Sequence, residues 1–133
     1  MTLIHIDQNN LASVYFDEDN QIIIYKTESI LANQNIDKIQ SLLEQCMQLP
    51  DDQITIGEIV DLTNLRGNFK KIIDFLINTY YPVMHRRGMK KAAYVISNDL
   101  LSYSLVQDIC DKNELVETKA FYDMFQAEKW VLS

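Results

Sequence analysis

The sequence predicts an α/β protein, a mixed β-sheet with helices packed on it in the order β-β-β-α-β-α-β-α-β-α. Three observations carry this. The first quarter of the chain consists of short runs rich in β-branched and aromatic residues. From Asn35 onward, apolar residues recur at the three-and-four spacing of a helix face. Short apolar runs then alternate with such helical patterns, and helical crossovers are what parallel neighbours in a sheet require.

The elements follow in order. LIHID, LASVYF and QIIIYK read as strands, and the turn clusters QNN and DEDN between them give a three-stranded antiparallel meander. Ile36, Ile39, Leu43, Cys46 and Met47 form one helix face, with Asn35 placed to cap the first turn and Leu49-Pro50-Asp51-Asp52 to end it. ITIGEIVDL, residues 54–62, is mostly apolar over a length that suits a central strand buried on both faces. Phe69, Ile72, Ile73, Leu76, Ile77 and Tyr80 make the next helical stripe, which Pro82 breaks or kinks. AAYVIS, 92–97, is a further buried strand. Asn98 is placed to cap a helix carrying Leu101, Leu105, Val106, Ile109 and Cys110. LVETKAF, 115–121, is the last strand. Asp123 with Gln126 three residues on has the spacing of a capping box before a terminal helix that Trp130 can anchor.

Composition bounds the function. The 133 residues suit one domain spanning 1–133, and 47% hydrophobic with 23% charged residues is ordinary for a globular protein. Twelve Lys and Arg against nineteen Asp and Glu leave a net charge of -7, a field that repels nucleic acid. MTLIHIDQNN has no basic flank and reads as a strand rather than a signal peptide. No apolar run approaches the ~20 residues of a membrane span. Cys46 and Cys110 fall on apolar helix faces, as reduced thiols do, which places the protein in the cytoplasm.

The order of elements, the strand-to-turn passage VDLTNL and the ending KAFYDMFQAEKWVL, with Ala127 and Trp130 three apart, together resemble the SpoIIAA-like group, relatives of the STAS domain of sulfate transporters and anti-sigma factor antagonists. The likeness spans the chain. In anti-sigma antagonists of that family the phosphorylated serine lies in an Asp-Ser-Ser-Gly-like segment after the central strand. Here the corresponding stretch is LRGN: Gly67 matches the glycine, whereas Arg66 and Asn68 carry no acceptor hydroxyl. Asp61, Leu62 and Thr63 resemble the acid-apolar-hydroxyl triplet that closes the preceding strand, which leaves Thr63 as the candidate phosphoacceptor. The resemblance implies a protein-binding regulator that needs no cofactor.

The residues support a site at the same place. Ligands gather outside the carboxyl ends of strands in open α/β sheets, and Asp61, Thr63, Asn64, Arg66 and Asn68 cluster at the end of the central strand. The competing account is structural: Asn64 or Asn68 caps the next helix, Gly67 permits the turn, Arg66 pairs with Asp61, and the Thr63 hydroxyl bonds to local backbone. MHRRGMKK, 84–91, puts His85, Arg86 and Arg87 in a last helical turn before Gly88, where cations complement the helix dipole. DEDNQ lacks the alternating ligands and glycine of a calcium loop and reads as a solvated hairpin turn. His5 and His85 stand at no zinc spacing, so no metal site is expected. There is no nucleophile elbow, dinucleotide fingerprint or P-loop. The expected function is therefore a non-enzymatic regulatory module that binds another protein, a second copy of itself included. The alternative is a carrier or sensor of a small apolar, lipid-like ligand held among the aromatics, with Tyr80-Tyr81 and Phe121-Tyr122 as lining. A third reading is a small hydrolase centred on Asp61.

Overall fold

In a computed structural model, residues 3–8, 12–28, 30–31, 35–50 and 52–133 are described, with side chains from residue 12 onward except at 30–31. The predicted first turn, at Asn9 and Asn10, lies outside them. Strands β1 (Leu3–Gln8), β2 (Ala12–Asp17) and β3 (Ile22–Thr27) form the expected meander. A two-residue strand β4 (Ile30–Leu31) precedes helix α1 (Ile36–Met47). The chain continues through β5 (Gly57–Asp61), a second two-residue strand β6 (Leu65–Arg66) and a long helical stretch. That stretch comprises α2 (Lys70–Phe75), a π-helical turn (Leu76–Tyr80) and α3 (Tyr81–Arg86). Strand β7 (Lys91–Val95), α4 (Leu100–Lys112), β8 (Glu117–Phe121) and α5 (Met124–Val131) complete it.

Six strands form one sheet in the order β1-β2-β3-β5-β7-β8, antiparallel through the meander and parallel from β3 to β8. The segment ITIGEIVDL thus supplies an inner strand, β5, with strands on both sides, and its residues 57–60 are buried, as its apolar composition predicts. β4 and β6 pair separately and tie the turn after β5 to the chain leaving β3.

The two faces of the sheet are covered unequally. One carries the larger core, where Phe16, Ile23, Tyr25, Val60 and Tyr94 meet Leu42, Cys46, Ile73, Met84 and Ile109 from the helices. The other is covered by α5, whose Ala127 and Val131 pack on Ile22, Ile59, Ala93 and Val95. Here residue 57 has to be glycine. A Cβ there would stand 2.8 Å from Val131 Cγ1 and 3.1 Å from the Lys91 carbonyl oxygen. Trp130 is half-buried rather than the central anchor. It lies beside Phe121, and Lys91 Nζ sits 5.2 Å from its ring centroid while donating to its carbonyl.

Several sequence expectations change in detail. Pro82 does not end the helix. The chain passes through the π turn just before it and continues to Arg86, so the missing proline N–H falls at the start of α3. The cap of α4 is Asp99, not Asn98: its carboxylate accepts from the Leu101 N–H and the Ser102 hydroxyl. Asp123 caps α5 as predicted, accepting from the Gln126 N–H at 2.8 Å. Asn35 stands at the first turn of α1, but its side chain makes no capping bond there. The DEDN hairpin is not simply solvated. Asp17 is buried and gathers the Asp19 and Asn20 N–H groups and the Asn20 amide onto its carboxylate, and Gln21 closes the turn at φ 58°. Of the basic cluster, His85 and Arg86 are exposed in the last turn of α3, while Arg87 donates to the Met47 and Pro50 carbonyls and so satisfies the end of α1. Gly88 follows at φ 104°, the left-handed conformation expected after that helix.

Candidate functional site

The carboxyl ends of β3, β5, β7 and β8 make one rim of the sheet, and the predicted residues stand on it. Thr27 holds the end of β5 by donating its hydroxyl to the Asp61 carbonyl at 2.8 Å. Leu62 N–H reaches the Val95 carbonyl, and Ile96 N–H that of Phe121, so the three chain exits are tied side by side. Leu62 and Leu65 point inward, which anchors the turn between them from below.

Asp61 Oδ1 accepts from the Thr63 N–H at 3.0 Å and from the Thr63 hydroxyl at 2.6 Å. This is an Asx turn, in which the acid imitates a backbone acceptor and fixes the next residues. Arg66 does not pair with Asp61. Its guanidinium donates to the Thr63 carbonyl at 3.2 Å and to the Ser97 hydroxyl at 3.3 Å, bridging the turn after β5 to the loop after β7. Gly67 adopts φ 90°, where a side chain is disfavoured, and lets the chain swing from β6 into α2. Asn68 accepts from the Lys70 N–H at 2.8 Å and so helps to start that helix. Asn64 stands exposed at the tip. Gly67 permits the turn as expected, whereas Asn68 stands one residue before the cap position, which is Phe69, and neither Asn64 as a cap nor an Arg66–Asp61 pair is found. All five residues share one surface: Asn64, Arg66 and Asn68 are exposed, Asp61 and Thr63 half-buried.

That surface continues into an apolar one. Beyond Ser97 lies a groove lined by Asn98, Asp99, Leu100, Tyr103 and Tyr122. Leu100 is 83% exposed and Tyr122 60%, and Phe125 close by in sequence is 72% exposed. Isolated apolar side chains on a surface need no explanation, but several large ones beside a polar turn make a patch of the sort that partners cover.

Beneath the turn is a second polar group that sequence reasoning missed. Glu58, on the inner strand, is buried, and its two carboxylate oxygens accept from the Tyr80 hydroxyl at 2.7 Å and the Tyr81 hydroxyl at 2.5 Å. Tyr81 and Tyr94 share a further short hydroxyl contact. Adjacent residues of an α-helix point about 100° apart. The π turn ending at Tyr80 widens the helix where both tyrosines must face the same acid. Burial pushes the Glu58 carboxyl up from its usual range, and the hydrogen bonds from Tyr81 and Tyr80 bring it partly back. Burial likewise raises the Tyr80, Tyr81 and Tyr94 hydroxyls, so all three remain donors. A signal existed in the sequence: an acid inside a run expected to be buried on both faces requires partners, and the Tyr80-Tyr81 pair on the following helix could supply them.

A cavity of about 40 Å³ lies between the sheet and the helices, walled by Tyr25, Glu58, Val60, Leu65, Phe69 and Ile72 among others. Cavities that hold benzene measure about 150 Å³. A lipid-like tail would require this core to open. Tyr80 and Tyr81 serve the Glu58 network, and Phe121 packs on Trp130. Cys46 and Cys110 form no disulfide; Cys46 is buried and Cys110 half-buried, with burial raising the Cys110 thiol away from reactivity. Among the described residues there is no cluster of His, Cys, Asp or Glu able to hold a metal ion, and no helix long and apolar enough to cross a membrane.

No protein-family model and no curated protein matches the chain. Solved structures do. A DUF3478-family protein from Shewanella loihica PV-4, described as having a SpoIIAA-like fold, superposes with a TM-score of 0.57 at 19% identity, over 94% of this chain and 98% of that one. SiaC of Pseudomonas aeruginosa superposes at 0.48 and 10% identity over 91% of this chain and 100% of its own. SiaC in complex with the diguanylate cyclase SiaD, of which it is the activator, gives 0.46 at 8% identity over 89% and 99%. With the mixed six-stranded sheet, the helix order and the coverage of the first of these structures, the chain has the SpoIIAA-like fold its sequence resembles.

Proposed function

We propose that residues 1–133 act as one non-enzymatic regulatory module that binds another protein through the rim formed by Asp61, Thr63, Asn64, Arg66 and Asn68, together with the start of α2. The observation that carries this reading is the Arg66 bridge from the Thr63 carbonyl to Ser97, which joins the polar turn to the exposed Leu100 and Tyr122. A surface with a polar rim beside large apolar side chains has the make-up of a protein interface, and aromatic and Arg residues dominate binding in such patches. The partner is another protein, with a second copy of the chain as one candidate. The module works in the cytoplasm without a cofactor and takes neither nucleic acid nor a membrane span, in keeping with the net charge of -7.

Thr63 is the proposed phosphoacceptor. Thr63 is half-buried and its hydroxyl is bonded to Asp61, so a phosphate there would break the 2.6 Å bond and set two negative groups side by side. Arg66 stands three residues away to pair with the new charge. Modification would thus rebuild the turn rather than merely decorate it. Asp61, whose Oδ1 is engaged by Thr63 twice, is a turn-former in this reading and not a hydrolytic base.

Affinity capture from the native cell extract, with Arg66→Ala as the control bait, tests the proposal. A protein retained by the natural chain and lost by the variant supports it; identical captures by both remove the rim from consideration. Light scattering on the purified chain decides the self-association arm. For Thr63, captures by Thr63→Asp and Thr63→Val that match the natural chain would end the switch.

A further inference from the structure

The six-stranded sheet ends differently on its two sides. At one edge β1 is interrupted by a bulge between His5 and Asp7, a common device for making an edge strand unfit to pair further. At the other edge β8 runs in unbroken parallel register against β7 from Glu117 to Phe121. The Glu117 N–H donates to the Lys90 carbonyl and the Phe121 carbonyl accepts from the Ile96 N–H, so the backbone groups of residues 117, 119 and 121 are directed to β7. Those of Thr118 and Ala120 are directed outward, where no described strand lies.

The side chains along this edge complement themselves. Alternate residues of a strand share a face, and Phe121 packs on Trp130, so Glu117, Lys119 and Phe121 lie on the face that α5 covers. Glu117 and Lys119 are exposed, and among the described residues neither has an ion-pair partner within the chain. Read outward from Thr118 in every second place, the sequence is Glu117 then Leu115 on one side and Lys119 then Phe121 on the other. Two copies paired antiparallel about a two-fold axis at Thr118 therefore set each Glu117 against the other copy's Lys119, and each Leu115 against the other copy's Phe121. An axis one residue forward opposes Lys119 to Lys119, and one residue back opposes Glu117 to Glu117. Like charges directly opposite are unfavourable and opposite charges favourable, so one register is selected. A lysine on an edge strand ordinarily discourages pairing, but here an acid two residues away answers it.

The surroundings of the edge are apolar. Apart from Ile54, the large apolar side chains exposed among the described residues all fall within residues 100–132, in α4, α5 and the loops beside them. Both of these helices pack on β8. Leu115, 47% exposed, stands just before the strand and Tyr122 just after it.

We infer that β8 is a self-association edge, to which a second copy of this chain adds its own β8 antiparallel so that the two sheets become one. Thr118 of each copy exchanges N–H and C=O bonds with Thr118 of the other, and the Ala120 N–H faces the Val116 carbonyl across the axis. The contact is isologous and closes at two copies. None of the rim residues Asp61, Thr63, Asn64, Arg66 and Asn68 takes part, so pairing at β8 holds or fails independently of binding at the rim.

Sedimentation of the full chain over a concentration series, with charge variants at two exposed positions, tests this. The natural chain should pass from monomer to dimer. Glu117→Lys and Lys119→Glu should each weaken the dimer by roughly tenfold or more, because two cross-strand pairs turn repulsive at once. The double exchange Glu117→Lys with Lys119→Glu should restore it, and an equimolar mixture of the two single variants should associate better than either alone. Amide exchange at Thr118 and Ala120 should slow as concentration rises, and Arg66→Ala should dimerise like the natural chain. A chain that stays monomeric at millimolar concentration overturns the inference. So does a dimer indifferent to both charge reversals, or one that Arg66→Ala dissolves, which would put the contact at the rim instead. An extended segment of a different protein that protects Thr118 while the purified chain remains monomeric overturns it as well.

Discussion

Tyr80 Oη lies 2.7 Å from Glu58 Oε2 in the middle of the sheet, as donor to a carboxyl that burial drives toward its neutral form. A buried acid raised in the folded state still holds its proton where the unfolded chain has lost it. Its contribution is therefore fully present below the ordinary glutamate range, about pH 4.5, and is lost as pH rises through the folded value. The tyrosines facing it, Tyr25, Tyr80, Tyr81 and Tyr94, are themselves raised and stay neutral over that window. Glu58→Gln cannot ionise. Denaturant unfolding across a pH series should show the natural chain losing stability relative to this variant as pH rises; parallel curves would mean that Glu58 does not titrate between folded and unfolded states.

Gly57→Ala should destabilise the protein by about 1–3 kcal/mol, because the new Cβ meets both a side-chain methyl and a backbone oxygen. Val131→Ala clears only the first contact. In a double-mutant cycle measured by chemical denaturation, the pair should cost less than the sum of the single changes.

Removing either carboxylate cap should cost about 1 kcal/mol. Asp123→Ala loosens the start of α5 and Asp99→Ala that of α4, and amide exchange should rise first at Gln126 and Leu101, whose N–H groups those caps receive.

Arg87→Lys should leave the fold intact and fray α1. The guanidinium fork reaches two carbonyls, Met47 at 3.0 Å and Pro50 at 3.1 Å, and an ammonium cannot hold both in that geometry. The partly exposed setting limits the loss to about 1 kcal/mol. Hydrogen exchange at Cys46 and Met47 is the sensitive readout.

Much of this was legible in the residue pattern, and the reasons differ by element. The strand and helix order follows from periodicity, which is local, and the Asp123 cap from a three-residue spacing. The rim followed too, because an inner strand must deliver its next residues to the sheet edge. What escaped depends on partners distant in sequence. Glu58 is explained only by tyrosines 22 and 23 positions on. Arg66 looked like a mate for Asp61 since opposite charges five residues apart invite it, yet Thr63 reaches that carboxylate first and Ser97 lies 31 positions away. The π turn left no mark in the apolar stripe, which is equally compatible with an unbroken α-helix.

The eight residues of α5 roof one side of the sheet, whereas the helices α1 to α4 crowd the other. Should α5 lift, a strip of Ile22, Ile59, Ala93 and Val95 would face water while the thicker layer stayed assembled. Molecules opened in this way would adhere to one another through the bared strands. Heating at rising protein concentration should then precipitate the chain before its opposite layer melts.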